Sequence, residues 1–367
     1  MYSKLKGKIL PLSTTRVWRT YLGGKEIEKW EGIENASDSP FPEEWIASTV
    51  TATNSGREHI IEGLSKLKIP DFEDVTLKDV IDSNPKYFLG ENHFNKFGNN
   101  TGVLVKIIDS LSRLSIQVHP DKEFAKNILN SDYGKTESWY ILGGRTIDGE
   151  DPYVLMGFKP GVSRERWKKL FEEQDIQGMI DCLNKIYVKK GEAYFIEGGV
   201  PHAIGPGCFL IEIQEPTDYT MRVERKTIDG QVIPDQLCHQ GAGFEKLFDC
   251  FHYDNLSLIE TLNRWKVEPK KIFENDKAIE WEIIGNDQTT LFNMNRVLVK
   301  HSYKASHCDT FHSMTVVSGS GKIVYDAGTL DIKQGDLLFV PANIGELEIE
   351  TDKDNSLDIV RCYPPLS

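Results

Sequence analysis

Apolar and polar positions change period along this chain. Phe209, Ile211 and Ile213 alternate with Leu210, Glu212 and Gln214. A period of two is that of a strand, with one set of side chains aimed inward and the other outward. Shorter apolar runs at 103–108 (VLVKII), 115–118 and 194–196 predict further strands. From about residue 289 the pattern is almost purely strand-like, with runs at 296–300, 313–317, 322–326, 336–340, 346–350 and 357–362 divided by turn residues. Such spacing predicts a small sandwich or barrel.

Helical spacing appears in three places. EHIIEGLSKLK (58–68) and 76–82 predict helix within about 58–82. A second helix is expected over about 120–132, with Pro120 at its start and Phe124, Ile128 and Leu129 on one face. The third region, about 163–186, has Ser163 as a cap and Trp167, Leu170 and Phe171 on one face, with Gly178 as a break between two helices. Residues 1–57 mix aromatics with Gly and Pro and predict strands and loops. The charged stretch 268–275 reads as a connector.

A repeat links the two halves. Lys190-Gly-Glu-Ala-Tyr-Phe-Ile-Glu parallels Gln334-Gly-Asp-Leu-Leu-Phe-Val-Pro. Each is a glycine, an acidic residue, an apolar strand and a turn. The expectation is a mainly β protein made of one barrel duplicated, with a helical insert in the first copy. The domains are expected at 1–255 and 256–367, the second without a complete metal site.

Composition narrows the class. A chain of 367 residues suits two domains. No apolar run approaches the roughly 18–20 residues of a membrane helix, and the first residues lack a signal-peptide core. The expectation is a cytoplasmic protein with no membrane contact. Lysine plus arginine total 43 and aspartate plus glutamate 56, a formal charge of −13. That argues against a nucleic-acid surface. It leaves room for a small anion, because local cations override the global sign within a Debye length of about 8–10 Å. The six cysteines (182, 208, 238, 250, 308 and 362) form no C-x-x-C pair and are expected to be reduced.

The candidate chemistry sits in Ser115-Ile-Gln-Val-His-Pro120. Gln117 and His119 are two apart, so on a strand they face one side. Two polar groups facing a barrel interior need a partner. A metal ion supplies one: imidazole suits zinc and other late transition ions, and an amide oxygen adds a harder ligand. Glu137, in GKTESWY, would add a carboxylate, and His202, in the Gly- and Pro-rich turn GGVPHAIG, an imidazole. That set leaves a coordination position for water or substrate, the mark of a catalytic site. Taken singly, a histidine before proline is ordinarily a turn residue and a lone glutamate a solvated one. Spacing alone leaves both readings open.

The same residues resemble a family. LSIQVHPD (114–121), GKTESWY (134–140), the Pro201-His-Ala203 turn and EIQEPTDYTMR (212–222) resemble type I mannose-6-phosphate isomerases, zinc enzymes of the cupin superfamily, in family order over about 110 residues. The resemblance implies two cupin (jelly-roll) β-barrels. It implies one divalent metal ion per chain, zinc, on Gln117, His119, Glu137 and His202. It further implies Lys135, Glu212 and Arg222 as catalytic residues, and Ser115, Lys135 and Arg222 as substrate-binding residues. Two departures stand out. Glu197 takes the place of a cupin proline, which would bring a carboxylate to the mouth, and Val-Glu-Arg-Lys-Thr after Arg222 differs from common members. Lys4, Lys6, Arg16 and Arg19 are further basic candidates. In the second copy His307 and His312 remain, but no histidine follows Pro341.

The implied reaction is interconversion of mannose 6-phosphate and fructose 6-phosphate through a cis-enediol. It needs a Lewis acid at the carbonyl and a base between the two carbons. The competing readings are an isomerase of another sugar or sugar phosphate, a non-catalytic metal-containing sugar-binding cupin, and an iron-dependent oxygenase. The expected partner is a small sugar phosphate, taken up by a monomer or homodimer.

Overall fold

The structure is a computed structural model that describes residues 2–54, 56–228, 230–305, 309–351 and 355–366. It is mainly β, and its sheets come in two matching pairs. The first large sheet runs in the order Lys266–Val267, Ala193–Ile196, Glu137–Gly144, Cys208–Gln214, Leu104–Asp109, Glu43–Ile46, Arg16–Val17. The second runs Leu10–Leu12, Leu337–Val340, His312–Ser318, Leu357–Tyr363, Asn293–Val299, Ala278–Ile284, Lys270–Glu274. All neighbours are antiparallel. Each large sheet faces a smaller one. The first small sheet is built of Met221–Arg222, Gln117–Val118, His202–Ile204, Tyr153–Phe158 and Leu183–Tyr187. The second holds Ser302–Ala305, Leu347–Thr351, Ser320–Tyr325 and Gly328–Lys333.

Alternation along the strands builds the layers. Val105, Ile107, Ile211 and Ile213 of the first large sheet share one buried cluster with Met294, Phe339, Val360 and Cys362 of the second, so the two large sheets pack back to back. Their other faces meet the small sheets. Ile108, Trp139 and Leu210 cluster with Val154 and Ile204, and Val297, Met314 and Ile359 with Ile323 and Ile349. The result is two jelly-roll halves in the mainly β fold expected, and the duplication faintly visible in the sequence shows in the strand order of the two seven-stranded sheets; the first small sheet has one strand more, Met221–Arg222. Two pairings cross residue 255: Leu10 is opposite Phe339, and Val267 is opposite Ala193.

Several local expectations need correction. No helix forms over 58–68. Gly63 has φ +95°, and a Cβ there would meet the Trp45 ring at 2.7 Å. Leu67 is buried while Ile61 is exposed, so those apolar residues never share a face. Helix begins only at Leu77–Ser83, where Thr76 and Asp79 form a capping box. The second predicted helix is Lys122–Ile128, capped by Asp121, with Pro120 outside it. The third region holds Arg164–Glu173, capped by Ser163, and Ile176–Asp181, and then turns into a strand at Leu183. The break falls at Gln174, in the left-handed region, and Asp175 caps the next helix. Gly178 lies inside that helix and donates its N–H to Asp175. Lys25–Trp30 is a helix that the pattern of 1–57 did not suggest. The charged stretch expected as a connector contains the exposed edge strand Lys270–Glu274. The five described cysteines are free and buried, and Cys308 lies outside the described residues.

Candidate metal centre

Three strands and a turn bring the first-half candidates together. Gln117 is directly opposite His202, and Arg222 lies opposite Gln117 on the other side. Glu137 opens an interior strand of the facing large sheet, opposite Ile196 and Gln214. His119 extends from the strand of Gln117. His119, Glu137 and His202 are fully buried, with their ligand atoms within 4.8 Å of one another. Nε2 of His119 is 3.1 Å from Glu137 Oε2, and Nε2 of His202 is 3.4 Å from Oε1.

The backbone sets both imidazoles. Nδ1 of His119 donates to the carbonyl of Tyr219 at 2.8 Å, and Nδ1 of His202 to that of Val200 at 2.9 Å. Each Nε2 therefore carries a lone pair, and the two nitrogens lie close to the two oxygens of Glu137. Outer partners of this kind fix the tautomer of metal-binding histidines. Burial first, and then the positive charge of Lys135, hold the His119 pKa down to about 3. Burial likewise lowers that of His202. Burial works to raise the Glu137 carboxyl, but Lys135 and the two histidines outweigh it, and it lies well below the usual range.

This donor set fits a cation on three observations. Glu137 Oε1 is buried without a hydrogen-bond partner. The Lys135 ammonium, itself a cation, is drawn among the donors, 2.6 Å from His119 Nε2 and 2.5 Å from Glu137 Oε2. Gln117 Nε2 lies 3.2 Å from His202 Nε2, and the amide is symmetric enough that turning it over puts Oε1 there instead. The set therefore offers two imidazole nitrogens, a carboxylate and an amide oxygen, a combination suited to a divalent metal.

Beside these donors is a cavity of about 200 Å³ lined by Ser115, Gln117, Lys135, Glu212 and Arg222 among others. Its wall carries an alternating chain of buried and partly buried charges. Asp218 binds Arg19 at 3.1 Å, Arg19 binds Glu43 at 3.0 Å, and Lys106 lies 4.0 Å from Glu43 and 3.2 Å from Glu212. Tyr21 and Trp45 each donate to Glu43 at 2.8 Å, and Trp139 donates to Glu212 at 3.0 Å. Burial, and then the negative charge of Glu137, raise the Glu212 carboxyl above its ordinary value. Arg222 differs from the other cavity cations. Its guanidinium donates to the carbonyls of Thr220 and Leu237, with no carboxylate partner among the described residues.

Of the basic candidates near the start, Arg19 reaches the cavity. Arg16 pairs instead with Glu31 and Glu44. Lys4 and Lys6 lie on the surface away from the cavity. The glutamate expected at the mouth is not there: Glu197 binds Arg264 at 3.0 Å and accepts from the Trp265 indole at 2.9 Å. The divergent stretch after Arg222 also has a structural role, because Glu224 grips Arg113 through both oxygens and accepts from the backbone of Ile116 at 2.6 Å. Sequence reasoning missed Tyr21, Glu43, Lys106, Arg113 and Asp218. Lys106 had a signal, as a lone charge in the apolar run VLVKII.

Comparison with known proteins gives a consistent set of matches. Residues 22–138 match the family described as phosphomannose isomerase type I, catalytic domain, and residues 287–362 match the mannose-6-phosphate isomerase cupin domain. A Bacillus subtilis (strain 168) protein named "Probable mannose-6-phosphate isomerase" is 30% identical over 248 residues, covering 68% of this chain and 71% of that protein. A Streptococcus mutans mannose-6-phosphate isomerase is 25% identical over 276 residues, 72% of this chain and 78% of that one. Among solved structures, the mannose 6-phosphate isomerase of Bacillus subtilis superposes with a TM-score of 0.74 at 19% identity, covering 97% of this chain and 99% of that one. A variant of the Salmonella typhimurium phosphomannose isomerase gives 0.71 at 17% identity, covering 98% and 100%. At these identities the superpositions speak for the fold.

Proposed function

This chain belongs to the type I phosphomannose isomerase family, and from that premise we propose that it interconverts mannose 6-phosphate and fructose 6-phosphate with one divalent metal ion, zinc, held by Gln117, His119, Glu137 and His202. The observation that carries this reading is the convergence of two Nε2 lone pairs and an unpartnered Glu137 oxygen beside a cavity lined by Lys135, Glu212 and Arg222. When bound, the metal would polarise the sugar carbonyl and offset the charge that develops on its oxygen.

The rest falls to the chain's own groups. Lys135 and Glu212 would handle the proton that moves between the first two carbons of the open-chain sugar. Lys106 and Trp139 hold Glu212 in place at the cavity wall. Arg222, unpaired with any described carboxylate, would grip the enediolate or phosphate oxygens with its fork of donors. Ser115, in the same cavity, would contact the phosphate.

The test is an assay for fructose 6-phosphate formed from mannose 6-phosphate, with and without a chelator. Turnover that disappears with chelator and returns with zinc is expected. Metal-loaded protein that turns over no sugar phosphate would overturn the reading and leave a sugar-binding module. Lys135→Ala should abolish turnover while metal stays bound.

A further inference from the structure

His252 lies outside the donor set and the cavity, in the segment after the helix Phe244–Asp249. It nevertheless touches both stretches of chain that deliver the two histidine ligands. Its Nε2 lies 3.1 Å from Asp121 Oδ2, two residues after His119. Its backbone N–H donates at 2.8 Å to the carbonyl of Gly199, three residues before His202. The same two stretches meet each other directly, through Gly199 N–H to the His119 carbonyl at 2.8 Å.

Glycine makes this crossing possible. Gly199 has φ +89°, and a Cβ there would lie 2.5 Å from the His252 ring. A Cβ on Gly198 would lie 2.6 Å from the Asp121 Cα. The imidazole therefore lays its face on the turn at Gly199 while its Nε2 reaches Asp121. Asp121 is held in turn, because its other oxygen caps the helix Lys122–Ile128 by accepting from Phe124 N–H at 2.7 Å.

We propose that His252 is a positioning residue for the metal set: it clamps the turn before His202 to the segment after His119 and so fixes the separation of the two imidazoles. The claim rests on the metal reading above. It needs no contact between His252 and the metal or the substrate. Its effect would be felt as tightness and geometry of metal binding, in the way outer partners of ligands act.

The test compares wild type, His252→Ala and His252→Gln, whose amide can still donate to Asp121. Co²⁺ affinity is measured by chelator competition and ligand-field geometry by the visible spectrum of the Co²⁺ form, with the thermal midpoint of each metal-free protein alongside. Expected is a loss of roughly tenfold or more in affinity for the alanine variant, an altered Co²⁺ spectrum, and recovery of most of both by glutamine. Unchanged affinity and spectrum in His252→Ala, with or without a lower midpoint, would overturn the clamp. So would equal losses in the alanine and glutamine variants. Failure of the metal reading looks different, because wild type would then hold Co²⁺ no more tightly than Glu137→Gln.

Discussion

The two large sheets have the same strand order, yet their equivalent positions carry different chemistry. Ile196 and Val340 end the same repeat, and the residues opposite them are Glu137 and His312. Gln117 pairs with His202 in the first small sheet, and Ala305 pairs with Leu347 at the matching place in the second. Two of these three counterparts offer no ligand atom. His307, two residues after Ala305 in the sequence as His119 is after Gln117, lies outside the described residues. Further along, Glu43 opposite Ile108 matches Glu280 opposite Val297, and both glutamates accept a tyrosine hydroxyl, from Tyr21 at 2.8 Å and from Tyr303 at 2.6 Å. Lys106 opposite Glu212 becomes Asn295 opposite Arg361. A jelly-roll thus tolerates a polar mouth whether or not its described donors converge, and a buried polar cluster is weak evidence of activity unless they do.

The largest effect should come from those matching positions. Glu137→Gln is expected to abolish both turnover and bound metal, whereas His312→Gln should leave both intact and lower stability alone. Metal analysis beside the isomerase assay measures this, and loss of metal in the His312 variant would break the comparison.

A second contrast concerns the seam between large and small sheets. In the first half the helix Leu258–Trp265 covers it, and Trp265, 2% exposed, fills the space beside Gly157, where a Cβ would meet its ring at 2.5 Å. In the second half the matching seam, between Leu10–Leu12 and Gly328–Lys333, is an open groove lined by Leu12, Leu330, Ile332 and Leu338. Trp265→Ala should therefore cost about 3–5 kcal/mol, read from urea unfolding. Leu330 is only half-buried beside that groove, and its alanine variant should cost clearly less.

Charge at the cavity wall gives a smaller, pH-dependent term. Burial works to raise the Asp218 carboxyl, but Arg19 and Lys106 bring it from 3.8 down to about 2. A folded pKa below the unfolded one contributes stability above the unfolded value and loses it as pH falls through the folded one. Stability should decline between about pH 4 and pH 2 by an amount on the order of 2 kcal/mol from this group. Asp218→Asn should flatten that part of the curve; an unchanged acid limb would count against the Arg19–Asp218 pair.

The smallest effect is expected at Arg264. Its pairs with Glu197 and Asp254 are about two-fifths exposed at the arginine, and such pairs contribute roughly 0–1 kcal/mol. Arg264→Ala should shift the unfolding midpoint little, while Trp265 keeps its hydrogen bond to Glu197. A large shift would show that the ion pairs, and not the indole, secure the helix.

Much of this was legible in the order of residues. Period-two alternation in 209–214 identified a strand with two distinct faces, because side-chain direction in a strand is local geometry; that Glu212 faces the cavity came from the structure. The shared Gly–acid–strand repeat revealed the duplication. Gln117 and His119 share a side for the same local reason, and family resemblance added Glu137 and His202. What stayed hidden depended on contacts between distant segments. Gly63 against Trp45 overrode the helical spacing of 58–68. The edge strand 270–274 looked like a connector because an exposed edge has no apolar face to announce it. Glu197 turned from the mouth to Trp265, and Leu10–Leu12 joined the far sheet. Alternation, caps and repeats are written in neighbouring residues, so the sequence by itself determined the strand pattern, the two halves and the metal candidates. Only the tertiary structure decided which candidates converge, which second-half counterparts are apolar, and how His252 ties the segment after His119 to the turn before His202, because each of these is a meeting of residues far apart in the chain.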